Sequence, residues 1–259
     1  MRSPFAAFAA AAALLGTFAA EGKPLTQKST IVLVHGAFAD STSWSGVISR
    51  LEHDGYPVIA AANPLRGVRS DAASVSTLVR SVHGRVVLVG HSYGGPVITE
   101  AAQDNPDVVA LVYVAGFMPL PGESSLSLSK QLPGSTLGDT LQSVALPDGD
   151  EDLYISRSKF RAQFAADVPP ALAAVMAAAQ RPVTLSALGE TSTALSWKNL
   201  PTYVVYGSAD RNIPAAVMRF MSQRAHARKV VEIPGASHAV MVSHPAEVAR
   251  LIEQAASGN

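Results

Sequence analysis

Short apolar runs rich in valine and isoleucine alternate along the chain with longer stretches whose apolar residues recur at helical spacing. The runs lie at Ile31–Val34, Val58–Ala62, Val86–Val89, Val108–Val114, Tyr203–Tyr206 and Val230–Ile233. Continuous apolar runs are typical of strands buried on both faces, and their alternation with helices is the pattern of βαβ units. We therefore predict an α/β fold with a mainly parallel, six-stranded sheet flanked by helices.

Helical spacing is clearest between the first two runs, where Trp44, Val47, Ile48 and Leu51 lie at positions i, i+3, i+4 and i+7. Residues at this spacing share one face of a helix, so we expect that face to pack on the sheet. Similar patterns predict helices at about residues 70–82, 93–104, 214–225 and 245–256.

The alternation stops at residues 119–198, which precede the next apolar run. Unstructured loops of this length are uncommon in compact domains, so the segment predicts an inserted subdomain. We expect residues 24–118 and 199–259 to form the core of the fold, and residues 119–198 to form a cap over a site at the sheet.

Within this insertion, residues 119–152 are rich in proline, glycine, serine and aspartate, and we predict irregular structure there. Two helices are predicted beyond it, at Leu153–Ala166 and Pro170–Gln180, separated by a pair of prolines.

The N-terminal segment, residues 1–19, predicts a signal peptide. Its apolar run, Phe5–Ala20, is shorter than the ~20 residues needed to cross a bilayer, and the small residues Thr17 and Ala19 fit cleavage after Ala19. We therefore expect export to the periplasm or the medium. Only Arg2 supplies a positive charge before the run, so an alanine-rich tail on a cytoplasmic protein is the alternative.

Composition narrows the class of partner. Of the 259 residues, 48% are hydrophobic and 15% are charged, and 20 basic residues balance 20 acidic ones. No net charge or dense basic run would attract nucleic acid, and no later segment resembles a membrane span. With no cysteine in the chain, disulfides, thiol nucleophiles and cysteine zinc sites are excluded.

A candidate nucleophile follows the third apolar run, in Gly90-His91-Ser92-Tyr93-Gly94. This Gly-x-Ser-x-Gly pattern is weak evidence alone, but here it lies between a predicted strand and a predicted helix. Ser92 would then occupy a tight turn beside a helix N-terminus, whose N–H groups favour a developing oxyanion. The alternative is a structural serine in a glycine-rich turn.

A serine hydroxyl needs a base and an acid that orients the base. In this architecture they should follow the serine in the order acid, then histidine, on loops after later strands. Asp210 follows the run ending at Tyr206, and His238 follows the run ending at Ile233. The joint placement outweighs the alternatives of a turn aspartate and a surface histidine.

Other histidines offer less. His244 is the only nearby substitute base, and His91 adjoins Ser92, so its side chain should point away from the hydroxyl. His35, His91 and His238 could be considered as metal ligands, but the sequence contains neither the His-Glu-x-x-His nor the His-x-x-Glu-His spacing of known metal sites. We predict no metal site and no cofactor.

The oxyanion hole of such a site uses two main-chain N–H groups. One belongs to the residue after the nucleophile, here Tyr93, and the other to the loop after the first strand. Ala37 is the expected second donor, with Phe38 as the alternative if the loop is shifted by one residue.

Taken together, His35-Gly36-Ala37, the elbow around Ser92, Gly207-Ser208-Ala209-Asp210 and Gly235-Ala236-Ser237-His238 resemble the α/β-hydrolase superfamily. Within it, the chain looks most like small bacterial esterase-like members and the plant methyl-esterase and hydroxynitrile-lyase branch. Val114–Pro119 resembles that branch's entry to its cap. The similarity extends from Thr30 to the C-terminus.

The resemblance implies Ser92 as nucleophile, His238 as base, Asp210 as orienting acid, and Ala37 and Tyr93 as oxyanion donors. Two departures narrow the chemistry. The plant hydroxynitrile lyases carry a lysine directly after the catalytic histidine, where this chain has Ala239. Epoxide hydrolases and haloalkane dehalogenases carry aspartate in place of Ser92.

We therefore expect a cofactor-free serine hydrolase that cleaves small, fairly apolar carboxylic esters or lactones through an acyl-enzyme. Candidate residues for the substrate pocket are Phe38, Phe117, Phe160, Phe164 and Met176. For the residues of the insertion, packing of its helices on each other is the alternative role.

The remaining alternatives concern the reaction. Acyl transfer or perhydrolysis would use the same triad with an alcohol or peroxide in place of water. A small-ligand receptor that keeps the fold without turnover is a further alternative, which export would disfavour. The expected partner is a small-molecule ester, without nucleic acid or stable membrane insertion, and the oligomeric state, acyl length and stereoselectivity stay open.

Overall fold

Two sheets organise the computed structural model, which describes residues 28–258. The strands are β1 (Thr30–Val34), β2 (Val58–Ala61), β3 (Val86–His91), β4 (Val108–Val114), β5 (Leu141–Ala145), β6 (Glu151–Ile155), β7 (Val183–Thr184), β8 (Thr202–Gly207) and β9 (Lys229–Ile233). Six of them form a parallel sheet in the order β2-β1-β3-β4-β8-β9. These are the six predicted strands, each displaced by at most two residues at an end, which confirms the α/β fold class.

Helices cover both faces of this sheet. They are α1 (Ser45–His53), α2 (Val68–Ser81), α3 (Gly94–Ala101), α4 (Ser125–Ser129), α5 (Arg157–Phe164), α6 (Pro170–Ala179), α7 (Leu185–Gly189), α8 (Ser196–Asn199), α9 (Ala215–Arg224), α10 (Val240–Ser243) and α11 (Pro245–Ser257). Short 3₁₀ helices lie at Ser41–Trp44 and Leu137–Thr140. The predicted core helices match α1, α2, α3, α9 and α11, whereas α10 is too short to give a periodic pattern.

The strand order brings distant loops together. In a parallel sheet all carboxyl ends lie at one edge, where ligands bind in this class of fold. Ala37, Ser92, Asp210 and His238 each follow the carboxyl end of a strand of the six-stranded sheet. The four loops therefore meet at the same edge.

The insertion between β4 and β8 contains its own antiparallel sheet, in the order β5-β6-β7, together with α4 to α8. The expectation of irregular structure over residues 119–152 was wrong for α4 and β5. Leu153–Ile155 belong to β6 and not to the predicted helix, which begins at Arg157. The helix predicted at Pro170–Gln180 corresponds to α6.

Exposure to solvent explains why the sequence did not reveal β5. Four of its five side chains are exposed, including Val144, so no apolar run marks the strand.

The predicted signal peptide, residues 1–19, lies outside the described residues. Between residues 28 and 258, no helix has both the length and the apolar character needed to cross a membrane.

Candidate active site

Ser92 lies in the turn between β3 and α3 with a φ of 52°, a left-handed conformation that is rare for residues other than glycine. Hydrogen bonds hold this backbone in place: its N–H donates to Val114 O at 3.2 Å, and its carbonyl accepts from the N–H groups of Gly95 (2.9 Å) and Phe117 (3.2 Å). The strained residue is thus tied to the end of β4. Backbone strain held by its surroundings is a frequent property of functional positions.

The turn is possible because the neighbouring chain segments approach it closely. A Cβ on Gly95 would lie 2.2 Å from Phe117 O, and a Cβ on Gly36 would lie 2.7 Å from Ser92 Cβ. Only glycine fits at these two positions without displacing backbone. This is the physical reason for glycine at position 95, three residues after the serine, and at position 36, in the loop after β1.

His238 and Asp210 are brought together as the sequence predicted. Their side chains are fully buried, and His238 Nδ1 lies 2.7 Å from Asp210 Oδ2. The other carboxylate oxygen, Oδ1, accepts the main-chain N–H groups of Asn212 (2.7 Å) and Ile213 (3.0 Å). A carboxylate accepts, so Nδ1 carries the proton and Nε2 presents its lone pair.

His238 Nε2 is buried and has no hydrogen-bond partner among residues 28–258, so no hydrogen bond joins it to Ser92 Oγ in this structure. The two loops nevertheless touch through His91, the residue before Ser92. Its ring lies 4.7 Å from the His238 ring between centroids, and its Nε2 donates to His238 O at 3.1 Å. This contact does not test the expectation that the His91 side chain points away from the Ser92 hydroxyl, which stays a prediction.

Burial disfavours the charged form of two of the histidines. The pKa of His91 is well below its usual value of 6.5, mainly because burial disfavours the charged ring and secondarily because His238 and His35 lie nearby. The pKa of His35 is lowered as well, again mainly by burial. His35 Nε2 accepts a hydrogen bond from the N–H of Asn63 at 3.1 Å. This bond joins the loop after β1 to the loop after β2.

Two main-chain N–H groups of cavity-lining residues have no acceptor among residues 28–258. Within residues 28–258, neither the Ala37 N–H nor the Tyr93 N–H donates to any group, and both residues line the cavity that contains Ser92. The N–H of Phe38, the alternative donor, is already bonded to Arg181 O at 3.0 Å. Ala37 therefore fits the role of second donor better than Phe38.

The buried carboxylate of Asp71 binds the side chain of Tyr93. The Tyr93 hydroxyl donates to Asp71 Oδ2 at 3.0 Å, and Asp71 also accepts the N–H of Arg66. Burial, more than any other influence, raises the pKa of Asp71 and that of the Tyr93 phenol. The side chain of the residue after Ser92 is thereby fixed to the first turn of α2.

A cavity of about 410 Å³ opens over Ser92 and is large enough for a small organic ligand. Most of its wall is apolar and comes from the insertion and from the loops after β1 and β4. Among the lining residues are Phe38, Phe117, Leu132, Leu137, Leu141, Leu188 and Ile213.

The predicted pocket residues divide into three groups. Phe38 and Phe117 line this cavity, and Met176 lines a second cavity on the other side of Phe38. Phe160 and Phe164 line neither of these two: they are fully buried and stacked on each other, with Phe164 edge-on to the His238 ring at 5.1 Å. Their role in the structure is to enclose the histidine.

Five polar residues of the cavity wall were not singled out by the sequence: Ser125, Ser129, Lys130, Ser135 and Asn212. Only Asn212 had a usable signal, because it lies two residues after Asp210, where an aspartate side chain often caps the following N–H groups. Ser125 and Lys130 belong to the serine-rich stretch that was expected to be irregular.

The chain matches the model of the Alpha/beta hydrolase family over residues 31–251. Among curated relatives, the putative methylesterase 15, chloroplastic, of Arabidopsis thaliana is 26% identical over 246 residues, covering 85% of this chain and 55% of that protein. The carbendazim hydrolyzing esterase of Nocardioides sp. is 34% identical over 119 residues, covering 40% of this chain and 49% of that protein. The chain thus spans about half the length of these relatives.

Solved structures share the fold. The polyneuridine aldehyde esterase structure superposes with a TM-score of 0.77 at 20% identity, covering 88% of this chain and 99% of that one. A pyrethroid hydrolase from Sphingobium faniae gives a TM-score of 0.69 at 23% identity, covering 88% and 97%. At these identities the likeness concerns the fold alone.

Proposed function

The chain belongs to the alpha/beta hydrolase family, and from that premise we propose that it is a carboxylic ester hydrolase with Ser92 as nucleophile, His238 as base and Asp210 as orienting acid. The observation that carries the proposal is the buried His238–Asp210 pair at the same sheet edge as the strained Ser92 turn. Relatives named as esterases and hydrolases support the same reaction class.

In the proposed mechanism, Ser92 Oγ attacks the carbonyl carbon of the ester while His238 Nε2 takes the hydroxyl proton. Asp210 Oδ2 holds the Nδ1–H and so keeps the lone pair on Nε2, and it stabilises the imidazolium that forms. The serine–histidine hydrogen bond that this step needs is often long in ligand-free enzymes and shortens in the substrate complex.

The tetrahedral intermediate places a negative charge on the former carbonyl oxygen. The free N–H groups of Ala37 and Tyr93 are the donors proposed for it, and each donor of this kind lowers the barrier by about 3 kcal/mol. The Tyr93–Asp71 bond keeps one of them in position.

Collapse of this intermediate breaks the bond to the alcohol oxygen, and the imidazolium returns the proton to the departing alkoxide. Water then attacks the acyl-enzyme, again with His238 as base, and releases the carboxylic acid and the serine hydroxyl. No cofactor takes part in these steps.

The substrate we propose is a small, fairly apolar ester or lactone, because the cavity over Ser92 has mostly apolar walls and a volume of about 410 Å³. The segment 119–198 supplies much of this wall and would serve as the cap.

Hydrolysis of p-nitrophenyl acetate and butyrate tests the proposal, with Ser92→Ala as the variant and Ser129→Ala as its matched control. Ser129 lies on the cavity wall with its hydroxyl bonded to a main-chain carbonyl. We expect steady turnover by the native chain, loss of at least about 10³-fold in kcat for Ser92→Ala, and a much smaller effect for Ser129→Ala.

A fluorophosphonate probe provides the second readout, since it should label Ser92 in the folded chain and no residue in the Ser92→Ala variant. A single stoichiometric burst without turnover would contradict hydrolysis and favour a ligand receptor. Labelling of another serine would contradict the assignment of Ser92.

A further inference from the structure

Asn212 lines the cavity over Ser92, and only the oxygen of its side-chain amide has a hydrogen-bond partner among residues 28–258. Its Oδ1 accepts a 2.8 Å hydrogen bond from Gln163 Nε2, and its main-chain N–H donates to Asp210. Its Nδ2 has no acceptor within residues 28–258, although only 3% of the residue is exposed. The residue lines the cavity, so an acceptor atom on a ligand bound there would complete the hydrogen bonding of this amide.

The orientation of this amide is fixed by its neighbours. Gln163 Nε2 also donates to Arg211 O at 3.0 Å, and Gln163 Oε1 accepts from the Thr136 hydroxyl at 2.8 Å. A main-chain carbonyl only accepts, so the nitrogen of Gln163 must face Arg211 and Asn212. The oxygen of Asn212 then faces Gln163, and Nδ2 faces the other way.

The other polar groups of the cavity wall indicate what kind of ligand atom fits. The hydroxyls of Ser129 and Ser135 are bonded to main-chain carbonyls at 2.9 Å. The buried Ser125 hydroxyl has no partner among residues 28–258, and within that range no hydrogen bond is seen for the Lys130 ammonium or the Asn212 amide nitrogen. The last two only donate hydrogen bonds, so the complementary group is an oxygen acceptor.

We propose that Asn212 Nδ2 binds a second oxygen of the substrate, a carbonyl or carboxylate oxygen outside the ester that Ser92 attacks. The substrate class is therefore an ester or lactone with an additional oxo or carboxylate group, and not a plain alkyl ester. This inference rests on the proposed ester hydrolysis and narrows it. One such hydrogen bond corresponds to a preference of about 3- to 10-fold.

Matched esters test the proposal in the full-length chain. We expect kcat/KM for at least one of the isomeric methyl oxohexanoates, or for monomethyl adipate, to exceed that for methyl hexanoate by about 3- to 10-fold. Asn212→Leu should bring this ratio close to one. Asn199→Leu, the same change at an exposed residue of α8 outside the cavity, should leave the ratio as it is.

The ratio isolates the binding group, because general damage to catalysis lowers both members of a pair alike. Should Asn212→Leu fail to fold, Asn212→Asp retains an oxygen for Gln163 and replaces the donor by an acceptor, so it should remove the preference too. Equal kcat/KM for the oxo, carboxylate and alkyl esters in the native chain overturns the inference. So does a preference that persists in either Asn212 variant, or one that only Lys130→Met removes.

Binding to the Ser92→Ala variant separates this inference from the proposed reaction. Isothermal titration should give a lower Kd for the preferred ester than for methyl hexanoate, and Ser92→Ala/Asn212→Leu should remove that difference. Selective binding without hydrolysis by the native chain would refute the reaction and retain the donor. Hydrolysis without selectivity would refute the donor alone.

Discussion

At the scale of single residues, the site depends on which groups stay uncharged. As the proposed base, His238 has to keep a lone pair on Nε2, and the ring of His91 lies 4.7 Å from its ring between centroids, tilted by 50°. A charge on His91 would oppose protonation of His238 when the serine gives up its proton. The burial that lowers the pKa of His91 would therefore favour the proposed reaction.

The lowered pKa values of His91 and His35 predict how the stability of the fold depends on pH. Both His91 and His35 have a pKa below 6.5 in the folded chain and bind protons more readily once unfolded. Their contribution to stability is present above about pH 6.5 and is lost as the pH falls through the lowered folded-state values. We expect the free energy of unfolding in urea to fall between about pH 7.5 and about pH 5.5.

The variant His91→Gln keeps a donor for His238 O and removes the titrating ring, so its free energy of unfolding should fall less over this range. His53→Gln is the control, since His53 is exposed on α1 and should leave the native pH dependence unchanged. An equal fall in His91→Gln and in the native chain would show that His91 is not held neutral by the fold.

The placement of candidate site residues was predictable from the sequence where a residue type and its place in the element order agree. Ser92, Asp210 and His238 qualify because each follows a recognisable buried strand. Phe160 and Phe164 lay beyond such reasoning, since an aromatic side chain on an insertion helix packs equally well into a cavity or onto a histidine ring. The free Nδ2 of Asn212 depends on Gln163, which is 49 residues away in sequence.

At the scale of elements, the turn between β3 and α3 is the most constrained part of the site. A Cβ on Gly95 would lie 2.2 Å from Phe117 O, and the Phe117 N–H in turn bonds to Ser92 O. We expect Gly95→Ala to lower the free energy of unfolding by about 1–3 kcal/mol and to reduce kcat, because the displaced Phe117 releases the Ser92 backbone.

Urea unfolding and p-nitrophenyl acetate turnover measure the two effects. Gly189→Ala is the matched control, since no atom lies within 4 Å of the Cβ it would add. It should leave both quantities close to native values. If Gly95→Ala had the native free energy of unfolding, the turn would accommodate the added Cβ without strain, which would contradict the prediction.

The core elements were predictable because parallel strands buried on both faces leave a continuous apolar record in the sequence. The insertion was not, since β5 is mostly exposed and β6 places only part of its residues inside. Pairing holds these strands together instead: β5 and β6 are in register from Leu141 opposite Ile155 to Ala145 opposite Glu151. Such backbone pairing has no signature in hydropathy.

Charged side chains join the insertion to the core at both of its ends. Arg224 of α9 donates to both oxygens of Glu123 at 2.8 Å and to Met118 O, near the start of the insertion. At the other end, Glu100 of α3 accepts from Ser192 and from the N–H of Ala194. Burial opposes ionisation of both glutamates, but these hydrogen bonds outweigh it and keep each pKa below its usual value.

At the scale of the whole molecule, the described residues form a strand edge that carries the proposed reacting groups and an insertion that lines the cavity beside them. Hydrogen bonds attach both ends of the insertion to α3 and α9. Its position is therefore set by these contacts as well as by the chain connections. We therefore expect substitutions within residues 119–198 to change the preference among ester substrates more than they change the positions of the proposed reacting groups.

Export is the remaining property of the whole chain, and we propose that residues 1–19 direct it. The full chain expressed in a bacterium should yield a periplasmic or secreted protein that begins at Ala20, because the apolar run is too short to stay as an anchor and Ala19 suits the cleaving peptidase. Mass spectrometry of the fractions measures this. Ala19→Phe should accumulate the uncleaved precursor, whereas Ala12→Phe, inside the apolar run, should be processed normally. A cytoplasmic protein that retains residues 1–19 would show that this segment is an ordinary tail.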